Sequence, residues 1–391
     1  MKGTFRKLAM ASAACATSLI GVVAIGGTST AGATAAKGTP LVFGEIGTDT
    51  TGYAIPEDGQ ALAAYVANWN AHGGYKGHPI KIVEIDGGLS PTTTSNAART
   101  LVDSDNVIGM VNDYGFLDCT INNSFYQQSN VAALGLGATG CFIKDTDFPF
   151  LRTPGSGGLS DIVKFAVDSG SKKVALQGPA LFQPEIPGLT TFTKSIGGTL
   201  IVPPFTPTVP AAADFDAWIA SAKADGADAV LSLTESSTGE LLLQQAADEN
   251  FGPAQGIKYL FGPTEYDPRI TNQINGTYVY TYGYPWSSSI PAAQAALSVL
   301  KKGKVSVLDG FAQGGYQAGG VLQQVLSMVK GPVTRASFKA ACEKATSVTV
   351  PLTPGLKANL VNPGSDTVGG FVVKAENGKF VQVGGYEATH D

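Results

Sequence analysis

Leu41-Val42-Phe43-Gly44-Glu45-Ile46 is an apolar-rich run of strand length. After it, Leu62, Tyr65, Val66 and Trp69 recur at i, i+3, i+4 and i+7, one face of a helix, which Gly73-Gly74 ends. Ile80 to Ile85 then alternates as a second strand, and Ser90-Pro91 opens another helix with an N-cap and a proline at its first position. The rhythm persists, with strands over Val107 to Val111 and Val131 to Leu134 and a helix over Leu117 to Gln128. It restarts after a break at Pro149 to Gly158. Strands follow at Lys173 to Leu176, Leu200 to Val202, Ala229 to Leu233, Ile257 to Phe261 and Tyr278 to Tyr282. Helical segments at Ile162 to Val167, Leu189 to Ser195, Phe215 to Ala224 and Leu241 to Asp248 separate them. Strands joined by helix-length crossovers form parallel sheets with helices on both faces. Two runs predict two such sheets in a chain of α/β class. The tail predicts helices at Pro291 to Leu300, Gly310 to Val329 and Arg335 to Ala345, then a hairpin of Phe371 to Lys374 and Lys379 to Val383 through Asn377-Gly378.

The first 33 residues read as an address. Lys2, Arg6 and Lys7 precede an uncharged apolar run, Leu8 to Ile25, and Ala31-Gly32-Ala33 supplies a small-x-small cleavage pattern. A lipid anchor at Cys15 is the lesser alternative, because Ser12 stands where a lipobox has a large aliphatic residue. Cleavage would leave 358 residues of the 391, a length suited to two domains. It would also remove three positive charges and take the net charge from −5 to −8. A mildly acidic chain without a basic cluster offers no footprint for nucleic acid or anionic lipid. Of the three cysteines beyond Cys15, Cys119 and Cys141 occupy neighbouring places in one α/β unit and are expected to pair, with Cys342 buried. The alternative is three small core residues.

Enzymatic chemistry is missing. The three histidines, His72, His78 and His390, have no metal-ligand spacing, and no nucleophile elbow, H-E-x-x-H or Walker lysine occurs. Asp214 and Asp216 open a helix, where the dipole favours carboxylates. Gly135 to Gly140 spells G-x-G-x-x-G, but no helical period follows it, so no nucleotide cofactor is expected. A glycine-rich loop beyond a strand's carboxyl end is still where a ligand is expected in a parallel sheet.

The chain resembles the leucine/isoleucine/valine-binding family of type I periplasmic binding proteins, receptors of ABC importers. The resemblance rests on an ordered set: Gly44-Glu45-Ile46-Gly47, Asn70 to Gly77, Asp86 with Ser90-Pro91, and the stretch from Tyr126 through Gly137-Ala138-Thr139. Leu151-Arg152-Thr153, Leu242 to Ala246, Gly262-Pro263 and the hairpin at Asn377 to Phe380 continue it. It implies two Rossmann-like lobes with parallel sheets, one from 40–155 plus 286–347 and another from 156–285 plus 348–388, joined by three hinge strands around a ligand cleft. It implies no catalysis, no cofactor, no metal, a membrane permease as partner, and a monomer. Mapped onto this sequence, the carboxylate-binding backbone and hydroxyl fall on Gly137 and Thr139. The family's second hydroxyl falls on Phe116, which cannot donate, beside Tyr114. The stacking aromatic falls on Phe182; Glu265 and Glu235 are candidates for the ammonium partner, and Asp58 and Tyr316 for further contacts. The loss of the hydroxyl at Phe116 leaves the ligand open between an amino acid and an aromatic acid or amide. A ligand sensor feeding a regulator or kinase, and more remotely a nucleotide-dependent enzyme, are the competing readings.

Overall fold

The structure is a computed structural model that describes residues 35–388, apart from 51–53, 113–116, 136–143, 151–156, 208–209, 234–235, 263–265, 268, 270, 354, 356, 363–368 and 385–386. The strands are β1 (Leu41–Gly47), β2 (Ile80–Asp86), β3 (Met110–Val111), β4 (Ala133–Leu134), β5 (Lys173–Gln177), β6 (Thr199–Ile201) and β7 (Ala229–Ser232). They continue as β8 (Lys258–Phe261), β9 (Tyr278–Thr281), β10 (Val348–Thr349), β11 (Lys357–Ala358), β12 (Gly369–Glu376), β13 (Lys379–Gln382) and β14 (Glu387–Ala388). The helices are α1 (Pro56–Ala71), α2 (Pro91–Arg99), α3 (Asp118–Gln128), α4 (Gly157–Asp168) and α5 (Ile186–Ser195). After them come α6 (Ala212–Ala224), α7 (Ser236–Asp248), α8 (Pro291–Gly303), α9 (Gly310–Met328) and α10 (Arg335–Cys342).

Two large sheets form among the described residues, as the alternation predicts, beside the two-stranded β10–β11. The first runs β2-β1-β3-β4 and is parallel throughout. The second runs β13-β12-β9-β8-β7-β5-β6, with β14 on β12. Its β5 to β9 pairings are parallel, whereas β12 pairs antiparallel with β9 and β13. The tail hairpin is thus not a satellite. Phe371 to Lys374 find their partners in Thr281 to Tyr278 and extend the sheet. Its turn fits the sequence, because Asn377 and Gly378 both take positive φ, 52° and 73°.

Apolar alternation decides which side of each sheet the helices cover. In β1, Phe43 meets Phe338 of α10 edge-on at 5.1 Å, while Ile46 packs with Ala98, Leu101, Met110 and Tyr126 on the α2–α3 side. In the second sheet Val230 and Tyr259 join Phe215, Trp218 and Leu242, and their neighbours Leu231 and Leu260 join Ile162 and Leu189 on the opposite face. Helices start where the sequence signals them. Ser90 caps α2 by accepting from Thr93 N at 3.3 Å, and the Asp214 carboxylate closes the first turn of α6 on Ala211 N at 2.8 Å. Two features carried no periodic signal: a π-helical turn, Thr100–Ser104, continuing α2, and the short antiparallel ribbon β10–β11. The strands expected over Val107 to Val111 and Val131 to Leu134 contract to their last two residues, since only these meet a partner strand in register.

The chain leaves the second sheet through Tyr282 to Tyr284 and returns past Pro351. The α9 helix ties both crossings together. Gln313 Nε2 donates to Tyr284 O at 3.0 Å, and Gln317 Nε2 to Tyr282 O at 3.0 Å and Pro351 O at 2.9 Å. Two glutamines one helical turn apart occupy one face, and here that face meets backbone carbonyls that no sheet satisfies.

Candidate functional site

In a parallel sheet the ligand side is the carboxyl edge of the strands. On the first sheet that edge carries an acidic, buried cluster. Glu45 sits in β1 beside Glu84 of β2 in the pairing register. Thr48 follows β1, Asn112 follows β3, and Asp58 lies in the first turn of α1 rather than ahead of it. Glu45, Thr48, Asp58 and Asn112 are all 3 % exposed or less. Asn112 Nδ2 bridges the two acids, donating to Glu45 Oε1 at 2.6 Å and Asp58 Oδ2 at 3.0 Å. It does so from a left-handed backbone, φ 61°, a conformation asparagine tolerates better than most side chains.

Close packing makes the cluster possible. A Cβ at Gly59 would overlap the Glu84 carboxylate, and one at Gly315 of α9 would overlap the Asp58 carbonyl oxygen. Glycine at these two positions lets Glu84 reach the start of α1 and lets α9 press against it. Burial, then repulsion from Glu84, push the Glu45 carboxyl well above the usual range, against the Asn112 hydrogen bond. Burial and then repulsion from Glu45 do the same to Asp58. Glu84, exposed on the edge strand β2, is pushed up to about 7 by desolvation against α1 and by Asp49. Asp86 closes the series at the surface. Its slight burial is outweighed by the N–H groups of Asp49 and Gly88 and the Thr50 hydroxyl, which hold it low.

A second acidic group adjoins the first. Glu57, next to Asp58, shares a hydrogen bond with Asp309, the N-cap of α9, whose side chain also accepts from Ala312 N at 2.9 Å. Burial, then Glu57, raise Asp309 well above its ordinary value. Asp267, beyond β8, holds Arg269 at 2.7 Å, and Arg269 Nη1 reaches Ser306 O at 3.4 Å. The loop after β8 thereby touches the segment between α8 and α9.

The expected site residues divide. Asp58 lies in the buried cluster. Phe182 lies beyond the carboxyl end of β5 on a 3-10 turn, Ala180–Glu185; it is 4 % exposed and packed near Gly178. Tyr316 is half-buried and packs edge-on against Tyr65 of α1 at 5.0 Å. Its neighbour Gln317, not Tyr316, faces the crossing segments. Tyr114, Phe116, Gly137, Thr139, Glu235, Glu265 and Cys141 lie outside the described residues. Glu45, Glu57, Glu84, Asn112 and Asp309 had not been read as site residues. The available signal was a glutamate inside an otherwise apolar strand and two acids directly behind Pro56. Among the described residues no three of His, Cys, Asp and Glu are arranged to hold a metal ion, and no helix is long and apolar enough to cross a membrane.

Comparison with known proteins agrees with the fold. A solute-binding protein from R. palustris, solved with 4-hydroxybenzoate, is 19% identical with TM-score 0.72, over 89% of this chain and 96% of that one. A fatty acid ABC transporter substrate-binding protein from Thermomonospora curvata is 16% identical with TM-score 0.76, over 91% and 94%. A leucine-binding protein from Thermotoga maritima is 17% identical with TM-score 0.70, over 88% and 98%. No curated protein matches the sequence. The family model described as periplasmic binding protein matches residues 40–374, a stretch that takes in both sheets up to β12. The chain therefore belongs to the periplasmic binding protein family, in its type I form, and is a binding protein rather than an enzyme.

Proposed function

We propose that this chain is the extracytoplasmic receptor of an ABC importer, closing two lobes on a small polar solute and presenting the closed form to a membrane permease. The observation that carries this reading is the family match over residues 40–374. The lobes are 40–155 with 286–347 and 156–285 with 348–388, and the glutamines of α9 support that division by gripping two of the connecting segments. Export by a signal peptide over 1–33 belongs to the same reading, as does a monomeric receptor. So does a Cys119–Cys141 bridge, supported by the disulfide-bonded state of Cys119 and by the free, buried thiol of Cys342.

The binding residues in this reading are Asp58, Tyr114, Phe116, Gly137, Thr139, Phe182, Glu235, Glu265 and Tyr316. The strand-edge positions of Asp58 and Phe182 support their inclusion. The structural neighbours are solved with or named for aromatic acids, leucine and fatty acid, so the substrate panel spans all three. The test is a thermal-shift screen of residues 34–391, unfolded and refolded to remove carried-over ligand, against that panel with amines and amides added. A ligand at 100 times its Kd adds about 2.7 kcal/mol of stability, a shift of several degrees. A clear shift with one compound class supports the reading; a flat response across the panel overturns it.

A further inference from the structure

Four buried oxygens in the first-sheet cluster have no hydrogen-bond partner: Glu45 Oε2, Thr48 Oγ1, Asp58 Oδ1 and Asn112 Oδ1. With the carboxyls ionised, three of the four oxygens, those of Glu45, Asp58 and Asn112, can only accept. Asn112 Nδ2 has two hydrogens and gives one to each acid, which leaves the single O–H of Thr48 as the one donor of the four residues not in use, too few for three acceptors. Among the described residues, the titratable groups that act on the pair are acidic: Glu84 and Asp49 on Glu45, and Glu57 and Glu84 on Asp58, with Asp309 on α9 beyond Glu57. Arg269, the cation that acts on Glu57, is engaged by Asp267. Buried acceptors without donors are costly and rare in folded proteins.

We propose that this cluster is a subsite for the ammonium group of the transported solute, held between Glu45 and Asp58 in the first lobe; it rests on the receptor reading above. An ammonium brings three N–H donors and no acceptor, which matches Glu45 Oε2, Asp58 Oδ1 and Asn112 Oδ1 in number and kind. Its position at the carboxyl ends of β1 and β3 is where a parallel sheet presents its ligand. A solute carboxylate placed here would face two acids and no cation. The resemblance had put the ammonium partner in the second lobe, at Glu235 or Glu265; the orphaned acceptors put it in the first. Burial and mutual repulsion raise both carboxyls above their ordinary values in the empty protein, and an arriving R–NH3⁺ favours the carboxylate form, so each carboxylic acid that ionises to meet it gives its proton to solvent. Binding therefore releases protons, and no other bond is made or broken.

The experiment is calorimetry on residues 34–391 at pH 7 in two buffers of different ionisation enthalpy. The probes are L-leucine, 3-methylbutylamine, benzylamine, 4-methylpentanoate and benzoate. The expected result is binding by at least one ammonium-bearing probe with net proton release, and tenfold or weaker binding by its carboxylate-only counterpart. Glu45→Gln and Asp58→Asn should each weaken the ammonium probe at least tenfold and abolish the proton release. Should either variant fail to fold, the buffer dependence of the unmodified chain still decides. Tighter binding of the carboxylate-only probes, or ammonium binding without proton release, would overturn the subsite and leave the receptor reading standing. Silence from these probes and from the whole screening panel would sink both.

Discussion

Replacing Asn112 tests whether the buried acids are held as the geometry implies. The side chain is fully buried and supplies the hydrogen bonds at 2.6 and 3.0 Å that join Glu45 to Asp58. Removing it as Asn112→Gly keeps the left-handed backbone available and leaves two buried acceptors without donors. Each such orphan costs about 1–3 kcal/mol, so the loss should be about 2–6 kcal/mol. Asn112→Ala should lose roughly 1 kcal/mol more, because φ is 61° and a Cβ is unfavourable there. Against a typical total of about 5–15 kcal/mol, either loss is a large share of the stability. At about 2 °C per kcal/mol for a chain of this size, the melting midpoint should fall by roughly 4–12 °C, alanine lowest. Differential scanning calorimetry at pH 7 reads both variants directly. A loss under about 1 kcal/mol in the glycine variant would mean the bridge contributes nothing net and would refute this account of the cluster. Equal midpoints for glycine and alanine would refute the strain argument alone.

The raised carboxyls make stability depend on pH in a definite direction. Because Glu45, Asp58, Asp309 and Glu84 titrate higher folded than their ordinary values of 3.8 and 4.5, the folded state binds the extra protons. Their contribution is full below about pH 4 and fades as pH rises, for Glu84 through about 7; melting midpoints between pH 5 and 8 should fall, and Glu45→Gln should flatten the slope. Glu45→Met should change the midpoint more favourably at pH 8 than at pH 5, since it removes a carboxyl that repels Glu84 and Asp58; an unchanged pH profile would count against the mutual repulsion. Gln317→Leu leaves Tyr282 O and Pro351 O without their side-chain donor, an expected loss of about 2–4 kcal/mol measurable by urea unfolding. Phe338→Ala opens a cavity against Phe43 and should cost about 3–5 kcal/mol.

Why the fold was legible and the cluster was not comes down to range. Leu41 to Ile46 declares a strand by itself, and Leu62, Tyr65, Val66 and Trp69 declare a helix, because burying one face is a local periodic demand. Ser90 and Asn377-Gly378 likewise act within a few residues of themselves, and the structure shows both in the roles they signal. The union of the tail hairpin with β9 is different. It joins Phe371 to Thr281 across 90 positions, and nothing local in either segment names the other. The acidic cluster draws Glu45, Asp58, Glu84 and Asn112 from four separated segments, so no spacing rule could assemble it. Each residue alone has an ordinary explanation: acids in a first turn suit the helix dipole, and one glutamate in a strand can sit at an edge. Only the register of Glu45 against Glu84, with Asn112 reaching both Glu45 and Asp58, makes them one group.

That grouping also separates stability from recognition. Apolar side chains at Glu45, Asp58 and Asn112 would extend the packing that Phe43 already makes beneath α1, and buried ionisable groups are often replaceable in this way without loss. The native residues instead keep unpaired oxygens beneath the start of α1, whose positive end offsets part of their charge. Their neighbour Glu84 is held against Gly59 and the Asp58 backbone against Gly315, positions where any larger residue would push α1 away from β2 and α9. A cluster held this closely cannot relax to satisfy itself. Its acids are left to take a proton at low pH or a cationic donor at neutral pH, and the competition between the two links solute affinity to the acidity of the medium. An ammonium solute should accordingly bind more weakly as pH falls below the raised carboxyl values, the reverse of the order expected for a solute held through its own carboxylate.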